Sequence, residues 1–261
     1  MPAPTFVHLR AQSAYSMLEG AMAPKLLPQV ARSLGQPAIA LVDRNGLFAA
    51  MEFAQAAMAK GIQPIVGALL GVGGDWLALL VQDETGWANL TRLVSAAWLK
   101  GEGHMAPQVG LDELAAHAGG LIALTAGGEG GVARLLAQGR DGEAARLLDQ
   151  LAEALGDRLY VELSRQGDPV MQAAEARLVA LADARGLPLV ATNPALYADP
   201  AAHGAHDALL CIAESAYVET VERRRSNPHA WLKPSGVMAE LFADLPDAVA
   251  NTVTVAQRCA F

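Results

Sequence analysis

Histidines, hydroxyls and closely spaced acids mark where this chain could do chemistry. Six histidines are present: His8, His104, His117, His203, His206 and His229. His203 and His206 stand three apart beside Asp199 and Asp207, a spacing that offers metal ligands on one helix face. The same pattern also describes an ordinary polar helix face. His8 lies within the apolar run FVHLR; it is either a hydrogen-bonded core imidazole or a group that a barrel strand would aim at a site. Ser13 and Ser16 offer hydroxyls nearby, and Ser13 fits a turn or helix cap equally well. The run Gly128-Glu129-Gly130-Gly131-Val132-Ala133 matches a dinucleotide-binding fingerprint with alanine last. The acid expected about 20 residues on, at a strand end, falls inside a helix as Asp149, which favours a plain glycine-rich turn. No Walker-type loop, nucleophile elbow or HExxH motif occurs. Arg223, Arg224 and Arg225 form the sharpest basic cluster, in a polar loop that is either solvated or a contact for a partner or neighbouring domain.

The elements that must position these groups follow from short apolar runs at residues 6–10, 38–42, 64–72, 76–81, 121–125, 159–163 and 188–192. Such runs read as strands buried on both faces of a mainly parallel sheet. Helical stretches lie between them at 24–34, 48–60, 89–99, 143–155 and 171–185. In the last, Ala174, Leu178 and Leu181 share one predicted face, and Gly186-Leu187-Pro188 stops it. Alternating strands and helices give an open doubly wound sheet or a closed barrel. Only Gly73-Gly74-Asp75 separates the third and fourth runs, which predicts a hairpin and breaks any regular eightfold barrel. From about residue 198 the chain reads as helices and turns.

The chain has 261 residues, of which 52% are hydrophobic and 18% charged, enough for a substantial core. Its 27 acidic and 19 basic residues leave a net charge of −8, which argues against a broad basic nucleic-acid face. Two cysteines, Cys211 and Cys259, are too few for a disulfide scaffold or a Cys-rich zinc site and suit a reducing cytoplasm. No long uncharged apolar run and no signal-peptide pattern appears, so no membrane partner is expected.

The opening stretch FVHLRAQSAYSMLEG, residues 6–20, resembles the start of the PHP (polymerase and histidinol phosphatase) domain that begins the bacterial replicative DNA polymerase III alpha subunit. The resemblance continues through PAIALVDRNGL at 37–47, GIQPIVG at 61–67, GWANL at 86–90, GLPLVATN at 186–193, HDALLCI at 206–212 and LFADLPDAVANT at 241–252. It implies a single domain over 1–261, a distorted (β/α)7 TIM-like barrel to about 197 with a helical tail from 198 to 261. It further implies a fragment of a longer polymerase chain whose polymerising residues lie elsewhere. Within 237–255, apolar surface normally covered by that longer chain is expected to be exposed.

Active members of the family gather a trinuclear metal cluster, which activates water for phosphoester hydrolysis. By resemblance, the opening His-x-His reads His8 and Arg10, the acid of the Leu-Asp-Gly turn is Glu19, and Thr-Asp-His reads Val42-Asp43-Arg44. Gly-x-Glu ends in Leu69, the next histidine aligns with Trp76, Ser-x-Cys ends in Gly127, and Asn-Asp-x-His supplies Pro194 and Leu196. Only His8 and Glu19 remain competent ligands, and Arg10 and Arg44 oppose cations. The resemblance therefore implies no metal, no cofactor and no catalytic residue. Arg10 or Arg44 is expected to pair with Asp43 or Glu19. The implied role is an inactive cytoplasmic scaffold for the rest of the alpha chain and a docking surface for the proofreading exonuclease (epsilon) subunit, with DNA met only through the full-length polymerase. A residual phosphoesterase or pyrophosphatase using His8, Glu19, Asp43 and His206 is the rival, and direct DNA binding a third reading.

Overall fold

A computed structural model describes residues 5–100 and 106–261; His104 falls outside them. Seven strands form the wall: β1 (His8–Ala11), β2 (Ala38–Arg44), β3 (Gln63–Val72), β4 (Asp75–Val81), β6 (Leu121–Leu124), β7 (Leu159–Ser164) and β8 (Leu189–Thr192). β5 (Gln108–Val109) adds a two-residue pairing to β3 that sequence periodicity is too short to register. β3 and β4 pair antiparallel as the expected hairpin, β4 and β6 are also antiparallel, and the remaining wall pairs are parallel. At the seam between β1 and the exit of β8, Gln12 N donates to Ala195 O and Ala195 N to Arg10 O, both at 3.0 Å. The sheet is a nearly closed, distorted barrel.

Helices α1 (Leu26–Ser33), α2 (Ala50–Met58), α3 (Glu84–Lys100), α4 (Leu111–Ala116), α5 (Gly131–Ala137), α6 (Asp141–Leu155) and α7 (Pro169–Asp183) lie between the strands. α3 begins five residues before the expected start, because Asp83 Oδ1 accepts from Gly86 N and starts the turn despite its glycine. On α7 the buried stripe is Met171, Ala174, Leu178 and Ala182, so Ala182 replaces Leu181, which sits at the margin. The tail carries α8 (His203–Glu214), α9 (Ser235–Leu241) and α10 (Pro246–Arg258).

The barrel interior holds Val7, Leu9, Ala40, Val42, Ile65, Leu69, Ile122 and Val190, and Val255, Ala256 and Cys259 of the tail join the same cluster. α10 closes the end where strands begin: Thr252 Oγ1 accepts from Val7 N, and Asn251 Nδ2 donates to Leu189 O. Met238, Phe242, Ala248 and Val249 pack into the outer core. The exposed apolar face expected over 237–255 is therefore not found; that segment covers the barrel.

β1 contains the irregularity that matters most. His8 pairs with Ile39 and Ala11 with Leu41, three steps against two, which is a β-bulge. His8 thus shares the outer face with Ile39 and Leu41, while Leu9 joins the interior. The extra residue, Arg10, turns inward at the opposite end, the barrel mouth.

Candidate functional site

The mouth is built around Arg10, whose side chain is completely buried. Its Nη1 donates to both oxygens of Glu162 on β7 at 2.8 and 2.9 Å, and its Nη2 to Glu129 at 2.7 Å. Burial alone would depress the guanidinium pKa, but the Glu162 and Glu129 carboxylates hold it above its ordinary value. Thr192 Oγ1 at the end of β8 donates to Glu162 Oε1 at 2.7 Å. Glu129 also accepts from Arg44 at the end of β2, and the Arg44 guanidinium lies 4.7 Å from the Trp76 ring centre. Two cations and two carboxylates therefore share one connected network.

The glycine-rich turn delivers Glu129 to this network. Gly127 takes a left-handed φ of +52°, and a Cβ on Gly130 would stand 1.8 Å from Thr125 O, so the tight turn needs both glycines. This is the turn reading of the GxGxxA run. A carboxylate aimed into the mouth opposes the pyrophosphate that a dinucleotide site would hold.

Asp43 is committed elsewhere: it accepts from Ser13 N, Ser13 Oγ and Ser16 Oγ, each at 2.7 Å. Burial raises its pKa and those donors partly offset the rise. Ser13 and Ser16 thus act as turn-forming donors. Glu19 pairs with Arg224; although burial pushes its pKa up, that arginine brings it below the ordinary value. The expected pairing of Arg10 or Arg44 with Asp43 or Glu19 is replaced by pairing with Glu162 and Glu129.

The histidines face away from the mouth or are spoken for. His8 Nε2 donates to Lys233 O at 3.0 Å, and its Nδ1 is buried without a partner. Burial, reinforced by the nearby Lys233 ammonium, lowers its pKa to about 4. His206 donates from Nε2 to Glu19 O and accepts at Nδ1 from Ser226 Oγ, both at 2.7 Å. His203 Nε2 donates to Ser226 O at 3.1 Å, and Asp207 pairs with Arg223. The helix-face metal reading of His203, His206, Asp199 and Asp207 is thereby corrected: these groups fasten α8 to the loop before α9, and Asp199 caps Ala201 N. His117 Nδ1 bonds Glu113 O at the end of α4.

Beside the Arg44–Glu129 pair lies a cavity of about 170 Å³ lined by Gln12, Glu19, Pro194, Leu196 and Arg224 and by Ser164 and Asp168. Of the aligned positions, Glu19, Arg44, Pro194 and Leu196 line it, and Glu129, the partner of buried Arg10, lines it too. Leu69 belongs to the apolar interior and His8 to the outer face. Gln12, Glu129 and Glu162 are the site residues that sequence reasoning missed. A lone glutamate in the apolar run LYVEL was the available signal for Glu162. Arg223 and Arg224 are engaged within the chain, while Arg225 remains exposed.

These residues do not fit a metal cluster. Among the described residues, no group of three or more His, Cys, Asp or Glu is arranged to hold a metal. The two carboxylates that reach the mouth floor are instead paired with a guanidinium, itself a fixed cation.

A family model, the PHP domain, matches residues 8–166. The DNA polymerase III subunit alpha of Caulobacter vibrioides is 44% identical over 98% of this chain and 23% of its own length. That of Escherichia coli K12 is 38% identical over 99% of this chain and 23% of its own. The chain thus spans about a quarter of the length of these relatives. A solved structure from Bifidobacterium adolescentis, described as a metal-dependent phosphoesterase, aligns with a TM-score of 0.50 at 16% identity, covering 74% of this chain and 88% of that one. That likeness is one of fold.

Proposed function

This chain belongs to the PHP domain family, and from that premise we propose that it serves a replicative DNA polymerase III alpha chain as a catalytically silent scaffold. In this reading it buttresses the polymerase core, offers a docking surface to the proofreading exonuclease subunit, and works in the cytoplasm. It meets DNA only through the full-length polymerase. The observation that carries the reading is the buried Arg10 guanidinium held between Glu162 and Glu129 at the barrel mouth. A fixed side-chain cation in that place satisfies the carboxylates and repels a second cation. The side chains of His8, Glu19, Asp43 and His206, the set a residual phosphoesterase would need, are bound to Lys233 O, to Arg224, to Ser13 and Ser16, and to Ser226 with the Glu19 backbone, respectively.

The test is metal content per chain by plasma mass spectrometry after incubation with zinc or manganese and desalting, paired with hydrolysis of bis-p-nitrophenyl phosphate. Near-zero metal and no hydrolysis are expected. Two or more retained metals per chain with measurable turnover would replace the scaffold by a phosphoesterase.

A further inference from the structure

The loop that follows α8 inverts the usual surface pattern. Arg223 turns inward, its side chain 1% exposed and paired with Asp207, while Arg224 stays part-exposed as it pairs with Glu19. Its apolar side chains turn outward, with Tyr217 79%, Val218 53% and Val221 82% exposed, as does Ile212 on the last turn of α8 at 68%. A merely solvated loop would do the reverse, and apolar groups clustered on a surface mark interaction sites.

The loop is also held in shape. Arg223 donates from Nε and Nη2 to Val218 O at 3.3 and 3.2 Å, and Thr220 N donates to Tyr217 O at 3.0 Å, closing a turn beneath the exposed tyrosine. Such prior ordering lowers the entropic cost of binding. Beside the apolar side chains in the chain stand exposed Glu214, Glu219 and Glu222 against two exposed arginines, Arg225 and the Glu19-paired Arg224, which leaves the rim slightly net negative.

We infer that Ile212, Tyr217, Val218 and Val221 form a docking surface for a segment of a separate protein that presents an aliphatic or aromatic anchor flanked by lysines or arginines. The apolar centre supplies affinity and the acidic rim selects the sign of the flanking charge. This rests on the scaffold reading, which calls for a docked partner, and assigns the face that takes it.

The probe is the exonuclease subunit, used intact and as overlapping tiled peptides, in fluorescence anisotropy against the wild-type chain and Tyr217→Ser/Val221→Ser. Both replaced side chains are exposed, and an unchanged thermal midpoint confirms that the variant folds. The expected result is binding by the intact subunit and by a basic-flanked apolar peptide, weakening with salt and at least about tenfold weaker for the variant. Equal binding to the variant overturns the surface and leaves the scaffold reading standing. No binding of the intact subunit to the wild type removes exonuclease docking from that reading and this surface with it. A wild-type dimer in sedimentation that the variant abolishes would assign the patch to a second copy and overturn the proposal.

Discussion

Arg10 keeps its charge in a place where burial should make it costly, because Glu162 meets it with two hydrogen bonds and Glu129 with a third. Such a network gains little over an apolar replacement yet punishes loss of one partner, since the survivor is left charged and dry. Arg10→Ala should cost about 3–5 kcal/mol in urea denaturation, whereas the paired change Arg10→Met/Glu162→Leu should cost less than Arg10→Ala alone. A double variant at least as damaged as the single would mean that the pair itself provides net stabilisation. His8 makes a separate prediction. Its folded pKa, about 4, lies below the ordinary 6.5, so between those values the unfolded chain binds the proton and the folded chain refuses it. The stability it contributes is fully present above pH 6.5 and drains as pH falls to 4, by about 3 kcal/mol in all. His206, also lowered by burial, adds to the loss, and Asp43, raised by burial, works against it. His8→Gln should shrink the stability difference measured between pH 7 and pH 4.5; an unchanged difference would assign that acid sensitivity to other groups. At this scale the sequence revealed that Arg10 and Arg44 were arginines but not which acids they meet, because those acids lie 85 to 152 residues away along the chain.

Two elements convert ordinary residues into this arrangement. The bulge in β1 sends His8 outward and Arg10 inward, although an unbroken strand would place residues two apart on one face. The alternation of FVHLR contains no sign of the extra residue, so the bulge was illegible, whereas all seven wall strands and the hairpin were visible as apolar runs. The second element is the turn from β6 into α5, which presents Glu129. Gly130→Ala would push a methyl against Thr125 O, a backbone atom that cannot swing aside. It should destabilise the chain by about 1–3 kcal/mol and loosen the Arg44–Glu129 pair. Gly142→Ala, on the exposed first turn of α6 where an added Cβ meets nothing within 4 Å, should instead gain roughly 0.5–1 kcal/mol. Thermal melts of the two variants test this directly: similar shifts for both would show that the Gly130 turn relaxes freely. The dinucleotide fingerprint arises from the same glycines, because a tight turn between strand and helix asks for them whatever it presents.

At the scale of the whole molecule, the tail is what makes the barrel a closed object. The seam between β1 and β8 is narrow, and beside the Ala195 bonds it is tied by residues from beyond 198: Lys233 O accepts from His8 and Gln36, and Trp231 O accepts from Asn193 Nδ2. At the far end α10 inserts Val255, Ala256 and Cys259 against the interior, where burial pushes the Cys259 thiol pKa up to about 12. The lack of further strand-like runs marked this tail as helical, and the resemblance to part of a longer chain made its apolar face look uncovered; neither says what a helix packs on, and here it packs on the barrel. Removing residues 246–261 should therefore open the barrel rather than trim an appendage. The shortened chain is expected to bind the dye ANS, lose its near-ultraviolet circular dichroism and unfold without a sharp urea transition. A gentler change keeps the claim testable if the truncation aggregates. Thr252→Val leaves Val7 N buried without its acceptor and should cost about 1–3 kcal/mol with a sharp transition retained. A truncated chain that melts cooperatively at the full-length midpoint would show that the strands close without α10, and the scaffold's rigidity would then have to come from the wall alone.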